Sequence, residues 1–191
     1  YDHGAATHRK GACCAGQDIH DARDVAARIG IPHYVLDYES RFRESVIESF
    51  AESYVHGETP VPCIECNRSI KFRDLLATAR ELGAKALATG HYVASRRLNG
   101  GSRALVCAAD ADRDQSYFLF PASRSAFQQT LFPLGGMTKA EVRGHAERLG
   151  LVTSNKPESQ EVCFIPDDDH TRFVREHLGN PDSSGDIVDE D

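Results

Sequence analysis

The chain has 191 residues, 40% hydrophobic and 27% charged, enough for one compact domain or for one domain with part of a second. No apolar run approaches the ~18 residues of a membrane-spanning helix, and the opening YDHGAATHRKGACCAG lacks the apolar stretch of a secretory signal, so membrane and exported classes are disfavoured. The formal charge of -7 is uneven: residues 167–191 hold nine acids and two bases, whereas residues 68–103 hold eight bases and two acids. Such a basic stretch suits a polyanion, or simply a solvated helix face followed by a charged hairpin.

In chain order, Ile19, Ala22, Val25, Ala26 and Ile29 recur at helical spacing, with Gly30 and Pro32 as the stop. The aromatic and β-branched run His33 to Tyr38 reads as a strand. Phe42, Val46, Ile47, Phe50 and Tyr54 mark a second helix, ended by Gly57 and Pro60. Asn67 is suited to cap a third, with Ile70, Leu75, Leu76, Ala79 and Leu82 on one face and Gly83 beyond it. Ala86 to Thr89 then reads as a buried strand, and the two runs flanking Leu98 to Ser102 as a hairpin. Thr138 and Glu141 form a capping box opening a helix that Gly150 closes. A last helix is expected from about Asp168 to Leu178, and residues 180–185 read as a linker.

Helices alternating with strands imply crossovers and a parallel sheet, an α/β fold whose ligands bind at the carboxyl ends of the strands. We expect a nucleotide-binding α/β domain over residues 1–150 and a cysteine-bearing segment with a linker over 151–191. The start at Tyr1 and the stop in GDIVDED, with no closing element, read as an interior piece of a longer protein.

Six cysteines stand at 13, 14, 63, 66, 107 and 163. Without a secretion signal a disulfide framework is not expected, which leaves metal binding, catalysis or burial. Cys107 reads as a small buried residue inside a strand. Pro62-Cys63-Ile-Glu-Cys66-Asn67 reads as a loop entering a helix, where unpaired N–H groups and the helix dipole favour a thiolate at Cys66. A dithiol redox pair of Cys63 and Cys66 is one alternative, and a zinc or RNA-binding module is another, although a lone C-x-x-C supplies only two of the four ligands of structural zinc. Cys163, at a junction between a polar loop and an apolar run, reads by itself as packing. Gly90-His91-Tyr92 follows a strand end, where glycine permits close approach of a nucleotide.

Together Thr59-Pro-Val-Pro-Cys63-Ile-Glu-Cys66-Asn67-Arg-Ser-Ile-Lys-Phe72, Ala88-Thr-Gly-His-Tyr92, Asp114-Gln-Ser-Tyr-Phe-Leu119, Leu131-Phe-Pro-Leu134 and Ser159-Gln-Glu-Val-Cys-Phe-Ile165 strongly resemble the bacterial tRNA-specific 2-thiouridylase family. The resemblance implies a Rossmann-like sheet of the adenine-nucleotide alpha hydrolase (PP-loop) type, with a β-hairpin insertion and a small helical region after it. It implies a cytoplasmic enzyme using ATP, with Mg, to adenylate the wobble uridine of tRNA, and a persulfide donor protein supplying the sulfur. On this resemblance Cys163 matches the persulfide carrier and Cys66 the nucleophile able to close a disulfide with it. Gly90 matches an ATP contact, and Val61, Pro62, Cys63, His91, Arg113, Asp114 and Gln115 match tRNA contacts; no resident metal ligand is implied. Two departures stand out. Val61 replaces a common Asn, and the family's Ser-Gly-Gly-x-Asp-Ser phosphate loop does not occur in these residues, so it is expected N-terminal to Tyr1.

Overall fold

The protein is described here from a computed structural model covering residues 16–157, 162–165 and 167–179. Helix α1 (Gly16–Ile29) ends at Gly30 as its punctuation predicts, yet of the expected stripe only Ala26 is buried. Polar ties anchor it instead. Arg28 Nε donates to the Leu149 carbonyl at 2.7 Å, and Lys156 pairs with Asp18 and Asp21. Gly150, with φ +61°, turns the chain and leaves space that the Arg28 guanidinium fills.

The run His33 to Tyr38 is not a strand. A strand forms only where its backbone groups find partners, and none pairs with it among the described residues; Tyr34, Val35 and Leu36 are 75%, 59% and 43% exposed. Helix α2 follows, running through Glu39–Phe42, a π-helical Arg43–Ile47 and Glu48–Val55.

Helix α3 runs through Pro62–Glu65, a π-helical Cys66–Leu75 and Leu76–Glu81. The expected Asn67 cap is therefore wrong by more than a turn. Pro62 occupies the first helical position, where its missing N–H costs nothing and its φ is already helical. Asn67 lies inside the helix, 2% exposed, and its Nδ2 donates to the Phe118 carbonyl at 3.0 Å.

Strand β1 (Leu87–Ala88) pairs in parallel with β4 (Thr130–Leu131), Leu87 opposite Thr130 and Ala88 opposite Leu131. The register is sealed by Leu87 N–H donating to the Gln129 carbonyl and Thr89 N–H to the Leu131 carbonyl. The expected burial of this strand fails: Leu87 is half-buried and Ala88 exposed, because only two strands pair here among the described residues. Between them β2 (Ala94–Arg97) and β3 (Arg103–Val106) form the predicted antiparallel hairpin, then short 3-10 turns at Ala111–Arg113 and Ser116–Leu119 lead to α4 (Arg124–Gln128). At Gly135 an added Cβ would lie 2.6 Å from the Ala94 Cα, so only glycine lets these backbones meet. The capping box opens α5 (Lys139–Arg148) as expected, and α6 (His170–Leu178) starts on the Asp169 carboxylate, which accepts from Arg172 N–H at 2.8 Å.

Two apolar clusters organise these elements, and α3 feeds both. Ile70 joins Val46, Ile47, Phe50, Phe164 and Ile165, while Phe72 and Leu76 join Val93, Leu119, Ala126 and Phe127. In the first cluster Phe164 meets Phe50 edge-on at 5.2 Å and contacts Phe42 and Phe173 at 5.8 and 5.3 Å. Each such buried ring contributes about 2–3 kcal/mol of transfer free energy. That contact pins the 162–165 turn to α2 and α3.

Candidate functional site

The first cluster fixes where two cysteines sit. Cys66, in α3, and Cys163, in the turn 162–165, are both half-buried and both pack against it. Cys163 is a free thiol, so no link to Cys66 exists in this structure. The π-helical stretch begins at Cys66, and such wide turns recur at functional sites.

Cys66 does not stand at a helix entry, contrary to the expectation from its sequence context. Its N–H donates within the helix to the Pro62 and Cys63 carbonyls, so the open N–H groups lie one turn earlier. Exposed Cys63, beside the half-open Val61 and the buried Pro62, occupies that mouth. Glu65 in the same turn accepts from the Ser69 hydroxyl and pairs with Arg68 at 2.5 Å.

Gly90 and His91 follow β1 at its carboxyl end. Gly90 is exposed, and an added Cβ there would meet only Leu134 Cδ1, at 3.9 Å. His91 is 9% exposed, its ring 5.9 Å from that of Phe72. Its Nδ1 lies 3.0 Å from Thr89 Oγ1 and its Nε2 3.4 Å from Lys71 Nζ. Burial, reinforced by the Lys71 charge, pushes its pKa down to about 4. The imidazole is therefore neutral at neutral pH; the ammonium can only donate, so Nε2 accepts and Nδ1–H donates to Thr89.

The Arg113-Asp114-Gln115 stretch sits behind this edge. Gln115 exchanges two bonds with Tyr92: Tyr92 N–H donates to its Oε1, and its own N–H donates to the Tyr92 carbonyl, both at 2.8 Å. Asp114 accepts from Ala108 N–H at 2.8 Å and from Ser116 Oγ at 2.5 Å. Desolvation would raise its pKa, but bonds from the Ser116 side chain, the Ala108 and Ser116 N–H groups and the Cys107 thiol together hold it below the ordinary carboxylate range. These two side chains thus brace the loops, and exposed Arg113 is the member of the trio that reaches solvent. Cys107 is not the buried mid-strand residue expected: β3 ends at Val106, and Cys107 is exposed with its thiol on Asp114.

Cys13 and Cys14 lie outside the described residues, as do the expected linker 180–185 and residues 159–161 of the cysteine motif. Among the described residues no group of three or more His, Cys, Asp or Glu side chains is placed to hold a metal ion, and no helix is long and apolar enough to cross a membrane. The basic stretch is partly neutralised locally, since Arg68 pairs with Glu65 and Arg73 with Asp74, while Arg96 and Arg97 on the hairpin stay exposed. In the sequence Lys71 is only one of the eight bases of the 68–103 stretch. The signal was its place five residues after Cys66, which a π-helix brings back near the same face.

A parallel strand pair flanked by helices, with an exposed glycine just past its carboxyl edge, makes this an α/β domain. Residues 1–167 match the family model described as the tRNA methyl transferase HUP domain, and the chain belongs to that family. It is 70% identical over all 191 residues to the tRNA-specific 2-thiouridylase MnmA of Bradyrhizobium diazoefficiens, covering 49% of that protein. It is 69% identical over 191 residues to the same-named protein of Nitrobacter winogradskyi, covering all of this chain and 48% of the relative. Over 189 residues it is 70% identical to that of Rhodopseudomonas palustris strain HaA2, covering 99% of this chain and 48% of the relative. The chain thus spans about half the length of the curated relatives it matches.

Proposed function

We propose that this chain carries the sulfur-transfer centre of an ATP-dependent tRNA-uridine 2-sulfurtransferase acting on the wobble uridine. The observation that supports it most is the packing of Cys66 and Cys163, 97 positions apart in the sequence, on one apolar cluster. ATP, when bound, supplies the adenylyl group that turns the C2 oxygen of uridine into a leaving group. Gly90 is the residue present that suits an adenine nucleotide, since it is exposed just past the carboxyl edge; the phosphate-binding loop is not among these residues.

Cys163 holds the incoming sulfur as a persulfide received from a donor protein. The terminal sulfur attacks C2 and AMP leaves. The Cys66 thiolate then attacks Cys163 Sγ, which frees the 2-thiouridine and leaves a Cys66–Cys163 disulfide; a dithiol reductant restores both thiols. Apolar packing beneath both sulfurs limits water access to the persulfide. Val61, Pro62 and Cys63 at the mouth of α3, with His91, Arg113, Asp114 and Gln115 at the strand edge, form the proposed tRNA face. The division at about residue 150 separates this nucleotide edge from the segment bearing Cys163. A cytoplasmic location goes with a tRNA substrate.

The complete protein, given ATP, Mg, unmodified tRNA and a persulfide donor, is expected to form 2-thiouridine detectable by nucleoside mass spectrometry. Omitting ATP should remove the product. Thiolation without ATP, or none with every component present, contradicts the assignment.

A further inference from the structure

Lys71 and Arg103 are half-buried cations that bond neutral groups rather than acids, Arg103 through Ser95 Oγ at 2.9 Å. Arg41, Arg68, Arg73, Lys156 and Arg172 each pair with a carboxylate. Lys71 is half-buried, and among the described residues its ammonium meets no acid; its polar contact is Nε2 of His91. A half-buried cation without a counter-charge has lost part of its hydration without compensation.

The way it is held indicates what compensates it. His91 is fixed from three sides, by Thr89 Oγ1, by the Phe72 ring and by its own burial. Its neutral imidazole accepts one Lys71 N–H and cancels none of the charge. No described residue engages the other two N–H groups, and His91, which holds the first, directly follows Gly90 past the carboxyl end of a parallel strand, the region where α/β sheets bind ligands. Phosphate is the anion that suits a point-like ammonium with several donors.

We propose that Lys71 is a phosphate-holding residue of this site, oriented by His91, the residue that follows Gly90 at the carboxyl edge of the strand pair. This rests on the sulfurtransferase reading, which brings two sources of phosphate to that edge: the nucleotide and the tRNA backbone. Either one supplies the missing negative charge. His91 acts through Lys71 as a positioning residue.

The test compares Lys71→Met and Lys71→Arg in the complete protein, measuring ATP binding without tRNA by equilibrium dialysis and tRNA binding across a salt series. Lys71→Met should lose about tenfold to a hundredfold in affinity for one ligand, while Lys71→Arg keeps most of it. Loss confined to ATP assigns the nucleotide phosphate. Loss confined to tRNA, with the salt slope reduced by about one, assigns the RNA backbone. Lys71→Met binding both ligands within about twofold of the parent overturns the proposal, on the same scale of effects. If the parent binds neither ligand, the sulfurtransferase reading falls on its own, and pyrophosphate binding by parent and variant then decides for or against Lys71. Lys71→Gln, read the same way, replaces Lys71→Met should the latter not fold.

Discussion

Replacing Cys163 by Ser in the complete enzyme is expected to lower 2-thiouridine formation by at least about a thousandfold, since a hydroxyl can neither carry a persulfide nor form a disulfide. Cys66→Ser should cost as much in steady-state turnover and leave tRNA trapped on Cys163, because the variant lacks the thiolate that completes release. Cys63→Ser should still turn over, with any loss appearing as weaker tRNA binding, for Cys63 lies at the exposed mouth of α3 on the proposed tRNA face rather than on the cluster that seats the other two. Nucleoside mass spectrometry measures the product and filter binding measures tRNA affinity, which should change by less than about threefold in the Cys66 and Cys163 variants. If Cys63→Ser is the one inactive variant, the redox pair has been assigned to the wrong cysteines.

The second large effect is on stability and comes from His91. Its pKa is about 4 folded, against an unfolded value near 6.5. Between those values the unfolded chain binds a proton that the folded one refuses, so this group's contribution is present above about pH 6.5 and is lost as pH falls toward 4. From pH 7 to pH 5 the loss amounts to about 2 kcal/mol from this one side chain. Comparing chemical denaturation of the parent with a His91→Gln variant at both pH values isolates it, because the carboxylates with lowered pKa, Asp74 and Asp114 among them, are common to both proteins. The parent should lose about 2 kcal/mol more than the variant. Equal losses would mean that the imidazole is hydrated and titrates normally.

The sequence was most informative where structure depends on neighbours in the chain. The Thr138–Glu141 box, the Leu98–Ser102 hairpin turn and the stop at Gly150 depend on local backbone chemistry, and each is found where the residues put it. Local rules failed where a partner decides the outcome. His33 to Tyr38 has the composition of a strand, yet no described strand pairs with it. Asn67 has good capping chemistry, but Pro62 starts the helix sooner and burial turns the amide toward the Phe118 carbonyl. At the site, the resemblance of scattered motifs implied roles for both Cys66 and Cys163, whereas the position of Cys163 between a polar loop and an apolar run gave it, by itself, only a packing role. Nothing local set Lys71 apart from the other bases of its stretch, because its contact is His91, twenty residues away and folded against it.

The most direct measurement is peptide mapping of the complete protein after mild oxidation. A crosslink joining Cys66 to Cys163 is the predicted product, formed before any link between Cys63 and Cys66. Rapid closure of the Cys63–Cys66 pair, with Cys163 left as a thiol, would contradict the account.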